Sequence, residues 1–392
     1  MKNREVVMVV FHAKLSPRQR LMLRSLKGLG WSVSVVAWDR RGEHLIPVEY
    51  ADLVDRWHWV AVRAPIWGGM KLLKSLPLYY RHLFRCVSNI NKPDLWIVCH
   101  FWLLGCGFFL PGKKLYDASE MHSVDMSFHL RFFRTFTKNF MSFVEGLLIS
   151  RMDGVLTVDS KNGWLKRLYQ RWTPNVEVIW NVPSKLDDPD DHEVSAVAEE
   201  YSGRKVVVFI GGLKDKKGLQ IALRAANSVS ARHHNVLFLF IGTMRSDENK
   251  VHTLIQANNL ANNIRFLPWL PYREMLAHLI HAKIGLALYQ NVAHYSLVSA
   301  GNGRKFFSYM QAGIPIIGPS FSEVGLAVRL AECGILVDTE KVDEVSGAIN
   351  ALLDKPETAA SMAMNGRKAF LEHFNWEKEE QKFLSLVEKI AD

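Results

Sequence analysis

Short apolar runs recur along the chain, and each is followed by a segment with helical spacing. Examples are Glu5–Phe11, Trp31–Trp38 and Lys205–Ile210. Apolar runs of this length are typical of parallel strands that helices cover on both faces. Strands that alternate with helices predict βαβ units, and therefore α/β domains with doubly wound parallel sheets.

The remaining predicted strands follow the same pattern. They are Pro93–Cys99, Lys114–Tyr116, Gly154–Thr157, Asn235–Ile241, Asn263–Leu267, Ile284–Tyr289 and Ile314–Ile317. The longest predicted helix in the first half spans residues 126–150, where apolar side chains recur every three or four positions. Its stripe consists of Phe128, Phe132, Phe136, Phe140, Phe143 and Leu147.

The pattern stops at residues 184–203 and then restarts. This segment contains seven acids and a single base, Lys185. It predicts an inter-domain linker with a short helix, although a charged surface loop within one domain is the alternative. Since 392 residues are too many for one compact core, we expect two domains. The predicted division is an N-terminal domain (1–183), the linker (184–203), a C-terminal domain (204–374) and a last helix (375–392).

The net charge of +10 lies entirely in the first half. Residues 1–183 contain 26 lysines and arginines against 14 acids, whereas the remainder contains 23 against 25. A basic half is suited to nucleic acid, a membrane surface or an anionic substrate. Because no nucleic-acid-binding signature is present, we favour an anionic membrane surface or acceptor and expect no nucleic-acid partner. A basic but otherwise ordinary surface is the alternative.

One segment has the composition of a helix that lies on a membrane surface. Its cations alternate with leucines and a tyrosine, and Pro77 is expected to kink or interrupt it. The cations assigned to acceptor or membrane contact are Lys71, Lys74, Arg81 and Arg85. The second candidate is the aromatic-striped helix, with Arg131, Arg134 and Lys138, but for that stripe packing in the core is the favoured interpretation.

No segment predicts a membrane span. The longest apolar run, Leu95–Leu110, is shorter than the ~20 residues that a spanning helix needs, so a strand followed by a buried helix is expected. The N-terminus predicts a first strand rather than a signal peptide. The four cysteines lack zinc spacing and indicate a reducing compartment. We therefore expect a cytoplasmic protein without a metal, with attachment to the cytoplasmic membrane face as an open possibility.

A glycine-containing loop follows the predicted strand Lys205–Ile210. It reads Gly-Gly-Leu-Lys-Asp-Lys-Lys-Gly from Gly211 to Gly218. Glycines let the backbone approach a phosphate, and the start of the next helix supplies free N–H groups. Lys217 would add a point charge on a diphosphate. A tight turn without a ligand is the alternative, and the spacing matches neither a P-loop nor a dinucleotide-binding fingerprint.

A second candidate begins near Asn302. We predict a helix that starts at residues 302–304 and ends at Gly313, with Pro315 just beyond it. Arg304 and Lys305 fall in its first turn, where cations oppose the helix dipole. This mismatch indicates that an anion binds there, and two solvated cations on a surface turn are the alternative.

Together these segments resemble the family 4 group of retaining glycosyltransferases, particularly those of surface-polysaccharide assembly. The resemblance is carried by PRQRLMLRSLKGLGWSVSVVAWDR, LYDASEMHS, GVLTVDS, VIWNVP, FIGGLKDKKGL, GRKFFSYMQAGIPIIG, CGILVDT and FNWEKE. It implies the GT-B fold, in which two Rossmann-like domains face each other across a cleft. It also implies a C-terminal helix that crosses back to the N-terminal domain, acceptor binding by the N-terminal domain and nucleotide-sugar binding by the C-terminal domain.

The resemblance also assigns residues to the donor site. Gly211, Gly212 and Lys217 match the family's donor-phosphate loop, and Lys305 matches a lysine of its Asn-Lys-x-x-Glu-Tyr-Met segment. Gly313 and Pro315 match its Gly-x-Pro turn. Glu323, Val324 and Gly325 fall where the backbone approaches the donor sugar or its diphosphate. We include Arg304 among the donor-binding residues.

The chain departs from the family pattern at several positions. The family has a pair of glutamates at the positions of Ala300 and Ser308. Ser308 could still hydrogen-bond to the ribose, but this bond would lack the negative charge that a glutamate supplies. Ser119 occupies the position at which the family has a histidine in its N-terminal domain. His122 is therefore the candidate for the role of that histidine. The first residue of the phosphate loop is often an arginine in the family, but here it is Gly211.

The resemblance implies retention, with Lys217 and Lys305 stabilising the departing nucleoside diphosphate and no metal required. UDP- or GDP-sugars are the expected donors, and a saccharide or lipid-linked saccharide is the expected acceptor. Asp117 and Glu120 would orient hydroxyls of the acceptor or the donor in the cleft, and capping of a helix is the alternative role. Arg18 is also assigned to acceptor contact. A sugar-nucleotide epimerase on the same architecture and a non-catalytic partner of an active transferase remain open.

Overall fold

The computed structural model describes residues 4–391 except 13, 45, 47, 66–69, 120–133, 160–162, 292–299, 322 and 324. The chain forms two compact units. The first contains Met1–Trp180 and Glu379–Asp392, and the second contains Asn181–Lys378. Residues 184–203, the predicted linker, belong to the second unit and include a short helix.

The first unit is built on a parallel sheet with the strand order β3-β2-β1-β4-β5-β6-β7. Its strands are β1 (Glu5–Val10), β2 (Ser32–Asp39), β3 (Arg56–Ala61), β4 (Leu95–Cys99), β5 (Lys114–Ala118), β6 (Gly154–Thr157) and β7 (Val176–Val178). The strands predicted from apolar runs are confirmed, whereas β3 and β7 were not predicted. The order reverses between β1 and β4, which opens a crevice at their carboxyl ends.

Helices cover the sheet of the first unit. They are α1 (Pro17–Gly28), α2 (Met70–Ser88), α3 (Arg134–Ile149) and α4 (Trp164–Tyr169). The start of α1 is as predicted. Ser16 accepts a hydrogen bond from the Gln19 N–H, the Gln19 side chain accepts one from the Ser16 N–H, and Pro17 is the first helical residue.

The expected buried helix after β4 is confirmed, and it is a 3₁₀ helix, Phe101–Phe108. Two other local expectations are corrected here. Helix α2 is not interrupted at Pro77, because this proline is exposed and water can hydrogen-bond to the carbonyl that its ring leaves without a donor. The described part of the aromatic stripe on α3 does not pack in the core, since Phe140, Phe143 and Leu147 are exposed. Residues 126–133 of that predicted helix lie outside the described residues.

The second unit contains another parallel sheet, with the strand order β10-β9-β8-β11-β12-β13. Its strands are β8 (Lys205–Ile210), β9 (Val236–Ile241), β10 (Ile264–Leu267), β11 (Ala282–Leu286), β12 (Ile316–Pro319) and β13 (Gly334–Val337). Only β13 was not predicted. Here the order reverses between β8 and β11.

The helices of the second unit pack on both faces of its sheet. They are α5 (Asp191–Ala198), α6 (Leu219–Arg232), α7 (Glu248–Ala257), α8 (Tyr272–Ile280), α9 (Arg304–Ala312), α10 (Leu326–Ala331), α11 (Val342–Asp354) and α12 (Pro356–Glu372). The last helix, α13 (Trp376–Ala391), begins in the second unit and ends in the first. Across the described parts of both units, no helix is long and apolar enough to span a bilayer.

Candidate functional site

The carboxyl ends of β8 and β11 meet where the strand order of the second unit reverses. Parallel α/β sheets form a crevice at such a reversal, and ligands bind in it. The loop after β8 opens with Gly211, whose φ of +103° is a conformation that few other residues adopt. The loop continues through the half-buried Gly212 and ends in a 3₁₀ turn, Asp215–Lys217. The predicted phosphate loop therefore lies in this crevice.

Gly218 joins that turn to helix α6. Its φ is +85°, and a Cβ at this position would collide with the backbone carbonyl of Leu288, which follows β11. The turn can approach the end of β11 this closely only because residue 218 has no side chain.

Lys305 lies in the first turn of α9, which begins beside the same crevice. Its side chain is 6% exposed, and its Nζ is 4.2 Å from the ring centre of Phe209 and 4.9 Å from that of Tyr289. Among the described residues, no hydrogen-bond partner reaches this ammonium. Burial, followed by the charge of Lys217, lowers the pKa of Lys305 well below its usual value. The site thus contains a buried lysine amine whose charged form the described residues do not stabilise by a hydrogen bond.

Lys217 is the second lysine of the site and is half-buried at the end of the 3₁₀ turn. Burial, followed by the charges of Lys214 and Arg245, lowers its pKa to about 8. Burial and neighbouring positive charges both disfavour the charged form of this lysine. We call the region around these cations and the start of α9 the cationic crevice (Lys214, Lys217, Arg245, Arg304 and Lys305).

The hydroxyl of Tyr309 links helix α9 to the carboxyl edge of the sheet. Its buried hydroxyl accepts a hydrogen bond from Ile210 N–H at 3.2 Å and donates one to Leu286 O at 2.9 Å. One side chain therefore fastens α9 to the ends of both β8 and β11.

The side chain of Ser308 is not exposed to solvent. It is buried, and its Oγ donates to Arg304 O at 3.3 Å and lies 3.1 Å from the Tyr272 hydroxyl oxygen. The single proton of that hydroxyl is donated to Gln311 Oε1 at 2.7 Å, and the guanidinium of Arg304 lies 4.8 Å from the ring centre of Tyr272. The serine that replaces the family's glutamate is thus held by a local network, which the sequence did not predict.

The segment after β12 contains the last predicted donor residues. Glu323 is exposed, and its carbonyl accepts from Leu326 N–H at the start of α10. Gly325 is buried, and a side chain there would press against the carbonyl of Pro319 and the side chain of Leu336. Val324 lies outside the described residues.

The predicted acceptor residues of the first unit divide into two groups. Arg18 and Asp117 are both buried and form a salt bridge at 2.9 Å, and Arg18 also donates to Ile179 O at 2.7 Å. The structure therefore places both inside the unit, where each neutralises the other. Glu120 and His122 lie outside the described residues.

The crevice between β1 and β4 contains a histidine that the sequence interpretation missed. His100 follows β4 with φ +143°, a strained conformation for a residue with a side chain. Its ring stacks on Phe11 at 4.0 Å, and its Nδ1 accepts from Trp102 N–H, so the neutral ring carries its proton on Nε2. The signal in the sequence was a polar residue directly after the apolar run Leu95–Cys99.

The exposed face of α2 is basic and partly aromatic. Lys74, Arg81 and Arg85 are exposed on it, beside Phe84; the side chain of Lys71 lies outside the described part. Phe84 contacts the ring of Phe109 at 5.4 Å. Next to Phe109, Phe108 is exposed and lies under the guanidinium of Arg151 at 5.0 Å.

Helix α3 extends this surface. Phe140, Phe143 and Leu147 lie on one side of the helix and, with Phe84 and Phe108, are between 47% and 57% exposed. The segments that form the surface contain one acid, Glu145, which is buried and accepts a hydrogen bond from Tyr169. We call this the aromatic–basic surface: Arg81, Phe84, Arg85, Phe108, Phe140, Phe143, Leu147 and Arg151.

In the parts of the chain that the structure describes, no group of three or more His, Cys, Asp or Glu is arranged to bind a metal ion.

Comparison with known proteins agrees with this architecture. Residues 190–369 match the family described as glycosyl transferases group 1. Over 196 residues the chain is 26% identical to D-inositol 3-phosphate glycosyltransferase of Rhodococcus erythropolis, a match that covers 48% of this chain and 42% of that protein. The chain spans 42% to 66% of the length of the first curated relatives that it matches.

Solved structures resemble the chain over nearly its full length. Sucrose-phosphate synthase from Thermosynechococcus elongatus has a TM-score of 0.74 at 16% identity, with 98% of each chain covered. Anabaena Alr3699/HepE in complex with UDP-glucose has a TM-score of 0.73 at 13% identity, with 98% of this chain and 99% of that chain covered. The predicted GT-B fold of two parallel-sheet domains with a C-terminal helix is confirmed. The match to glycosyl transferases group 1 lies within the second unit.

Proposed function

We propose that this chain, whose residues 190–369 form a glycosyl transferases group 1 domain, transfers a glycosyl group from a nucleotide sugar to a saccharide or lipid-linked saccharide. We place the donor in the cationic crevice of the second unit and the acceptor on the first unit. The proposed setting is polysaccharide or glycoconjugate assembly at the cytoplasmic side of a membrane.

The observation that carries the proposal is the buried Nζ of Lys305, which has no hydrogen-bond partner among the described residues. Burial lowers the pKa of this amine, so an anion bound beside it is needed to stabilise its charged form. A nucleoside diphosphate fits, because its two phosphates can accept from Lys305, Lys217 and the free N–H groups at the start of α9. The family match supports the same ligand class.

The proposed chemistry follows from where negative charge develops. As the bond between the sugar and the diphosphate breaks, charge accumulates on the leaving phosphate. Lys217 and Lys305 are already positioned to stabilise that charge, so a metal is not required. The leaving phosphate then accepts the proton of the attacking hydroxyl on the same face of the sugar, which gives retention of configuration.

UDP- and GDP-sugars are the proposed donors. One structural neighbour is described as a complex with UDP-glucose, which supports UDP as the first nucleotide to test. The ribose would lie near Ser308, where the local Tyr272–Gln311 network replaces a carboxylate. Because neutral groups bind ribose hydroxyls less strongly than a carboxylate does, we expect the diphosphate to dominate donor affinity.

On the first unit, the aromatic–basic surface supports attachment to an anionic membrane. Exposed aromatic side chains insert at the level of lipid headgroups, and adjacent arginines bind their phosphates. No exposed acid interrupts the segments that form the surface. A lipid-linked acceptor would then be presented next to the crevice that contains His100.

The test is isothermal titration of the purified chain with UDP-glucose, GDP-mannose, dTDP-glucose and ADP-glucose. We expect saturable binding to UDP- or GDP-sugars. Lys305→Met and Lys217→Met should each weaken that binding at least tenfold, since each removes a charged hydrogen bond of about 1.5–3 kcal/mol. The matched control is Lys250→Met, which removes an exposed lysine of α7 and should leave affinity unchanged.

Two outcomes would overturn the proposal. Absence of binding to all four sugars would favour a non-catalytic partner of an active transferase. Binding followed by release of an epimerised nucleotide sugar, without transfer, would favour the epimerase. The melting temperature of Lys305→Met separates loss of the site from loss of the fold, because removing an unpaired buried charge should not lower it.

A further inference from the structure

A second cavity lies at the opposite edge of the sheet in the second unit. Its volume is about 360 Å³, and it is lined at the amino ends of β8, β11 and β12. The cationic crevice lies at the carboxyl ends of β8 and β11, so the two features occupy opposite edges of one sheet. The volume lies within the range of about 300–1,000 Å³ typical of small-molecule sites.

The wall of this amino-edge cavity is apolar. Ile314, Leu352 and Leu353 contribute buried side chains, and Ile280 contributes one that is 39% exposed. Helix α12 contributes one face of small residues, among them Ala360. An apolar wall of this kind favours an aliphatic body and not a sugar or a free phosphate.

The rim of the cavity is basic. Lys205 and Lys283 are its charged lining residues, and no acid lines it. Within the described residues, neither lysine has an ion-pair partner within 4.0 Å. Two unneutralised cations beside an apolar wall complement a ligand with one anionic end.

Lys283 also interrupts the strand pairing. Ala282 pairs with Val206 and Ile284 with Val207, so Lys283 is an extra residue in β11 and forms a bulge. Bulges are rare in parallel sheets and redirect a side chain. Helix α12, of 17 residues, begins at Pro356 on the same cavity without a side-chain cap, which adds positive potential at the rim.

We propose that the amino-edge cavity binds an amphiphilic anion, with an aliphatic body against Ile314, Leu352, Leu353 and Ala360 and a carboxylate or phosphate at Lys205 and Lys283. This site is separate from the donor site, and the proposal does not depend on the proposed transferase activity.

The experiment is calorimetric titration of the full chain, below the critical micelle concentration, with decanoate, decyl phosphate and uncharged decanol. Saturable binding of one molecule per chain is expected for at least one of the two anions, with decanol at least tenfold weaker. Comparison of decanoate with decyl phosphate identifies the preferred head group. Equal affinity for decanol, or no saturable binding of either anion, would overturn the proposal.

Two variants test the location. Ala360→Trp should fill the cavity and abolish binding, and Lys283→Gln should weaken it at least fivefold. The matched controls are Ala257→Trp and Lys250→Gln, at exposed positions of α7 that do not line the cavity. Binding that survives Ala360→Trp contradicts the assignment. An unchanged circular-dichroism spectrum and melting temperature in Lys283→Gln and Ala360→Trp shows that the second unit remains folded.

Discussion

At the scale of single residues, Lys305 and Lys217 are the main contributors to the electrostatics of the cationic crevice in the second unit. Both have a lowered pKa because each is desolvated and each has other cations nearby. An anion reverses this balance, since it stabilises the charged form of each lysine. The occupancy of the crevice should therefore depend on pH.

The pH prediction concerns Lys217, whose pKa in the free protein is about 8. Below pH 8 the amine is charged and nucleotide binding is at its strongest. Above pH 8 binding must be accompanied by proton uptake, so the association constant for UDP should fall by up to tenfold between pH 8 and 9. Calorimetric titration with UDP from pH 7 to 9 measures this.

Lys217→Arg is the matched variant for that measurement, because arginine stays charged over the whole range. It should keep UDP binding and weaken its dependence on pH. The pH dependence that Lys217 gives to the stability of the free protein has the opposite sign. The unfolded chain binds this proton more tightly between pH 8 and 10.5, so the contribution of Lys217 to the free energy of unfolding rises with pH there. A UDP affinity that rises from pH 8 to 9 would contradict the assignment.

The sequence predicted part of this site. Lys217, Lys305 and the glycines of the loop were recognisable because their residue types follow predicted strands and helix starts. Tyr272 and Tyr309 were not, because their roles depend on contacts with residues far away in the chain. His100 was recognisable only as a polar residue after an apolar run, because residue types alone do not encode its backbone angle.

At the scale of elements, the start of helix α6 depends on Gly218. We expect Gly218→Ala to destabilise the protein by about 2–4 kcal/mol, because a methyl group adds left-handed strain and a collision with the Leu288 carbonyl. Urea denaturation followed by circular dichroism measures the change.

The control for Gly218→Ala is Gly347→Ala in helix α11. A Cβ at Gly347 meets no atom within 4 Å, and alanine is a better helix former. This variant should stabilise the protein by about 0.5–1 kcal/mol. If both variants shift the denaturation midpoint in the same direction, the structural argument for Gly218 is wrong.

Elements with strong local signals were predictable and others were not. The central strands are mainly apolar, which identified them without tertiary information. Strand β3 alternates aromatic residues with Arg56 and His58, and β7 has three residues, so neither stands out from a loop. Helix α3 shows the limit of periodicity, because an aromatic stripe has the same spacing whether it packs in a core or faces solvent.

At the scale of the whole molecule, the two units differ in surface chemistry. The excess of positive charge belongs to the first half of the sequence, and there the structure shows aromatic side chains exposed among arginines. The second unit contains the cationic crevice and, at the other edge of its sheet, the cavity bordered by Lys205 and Lys283. We therefore propose a surface partner for the first unit and dissolved ligands for the second.

The corresponding prediction concerns vesicles. At low salt the chain should cosediment with vesicles of 30% phosphatidylglycerol in phosphatidylcholine and remain free with phosphatidylcholine alone. Replacing Phe140 and Phe143 together by serine should reduce the bound fraction about tenfold, since both side chains are exposed.

Leu330→Ser is the control for the vesicle experiment, because Leu330 is a 64% exposed apolar residue of the second unit. It should leave the bound fraction unchanged. Equal binding to both vesicle types, or an undiminished bound fraction for the double variant, would show that the aromatic–basic surface does not bind membranes.

The hydroxyl of Tyr309 has a consequence for how quickly a ligand is captured. It joins α9 to the ends of β8 and β11, so Lys305 is held in place before any donor arrives. A site that is assembled during folding loses less conformational entropy when it is occupied. Its association rate is then set by diffusion and by the attraction between opposite charges, and differences in affinity among nucleotide sugars should be expressed in their dissociation rates.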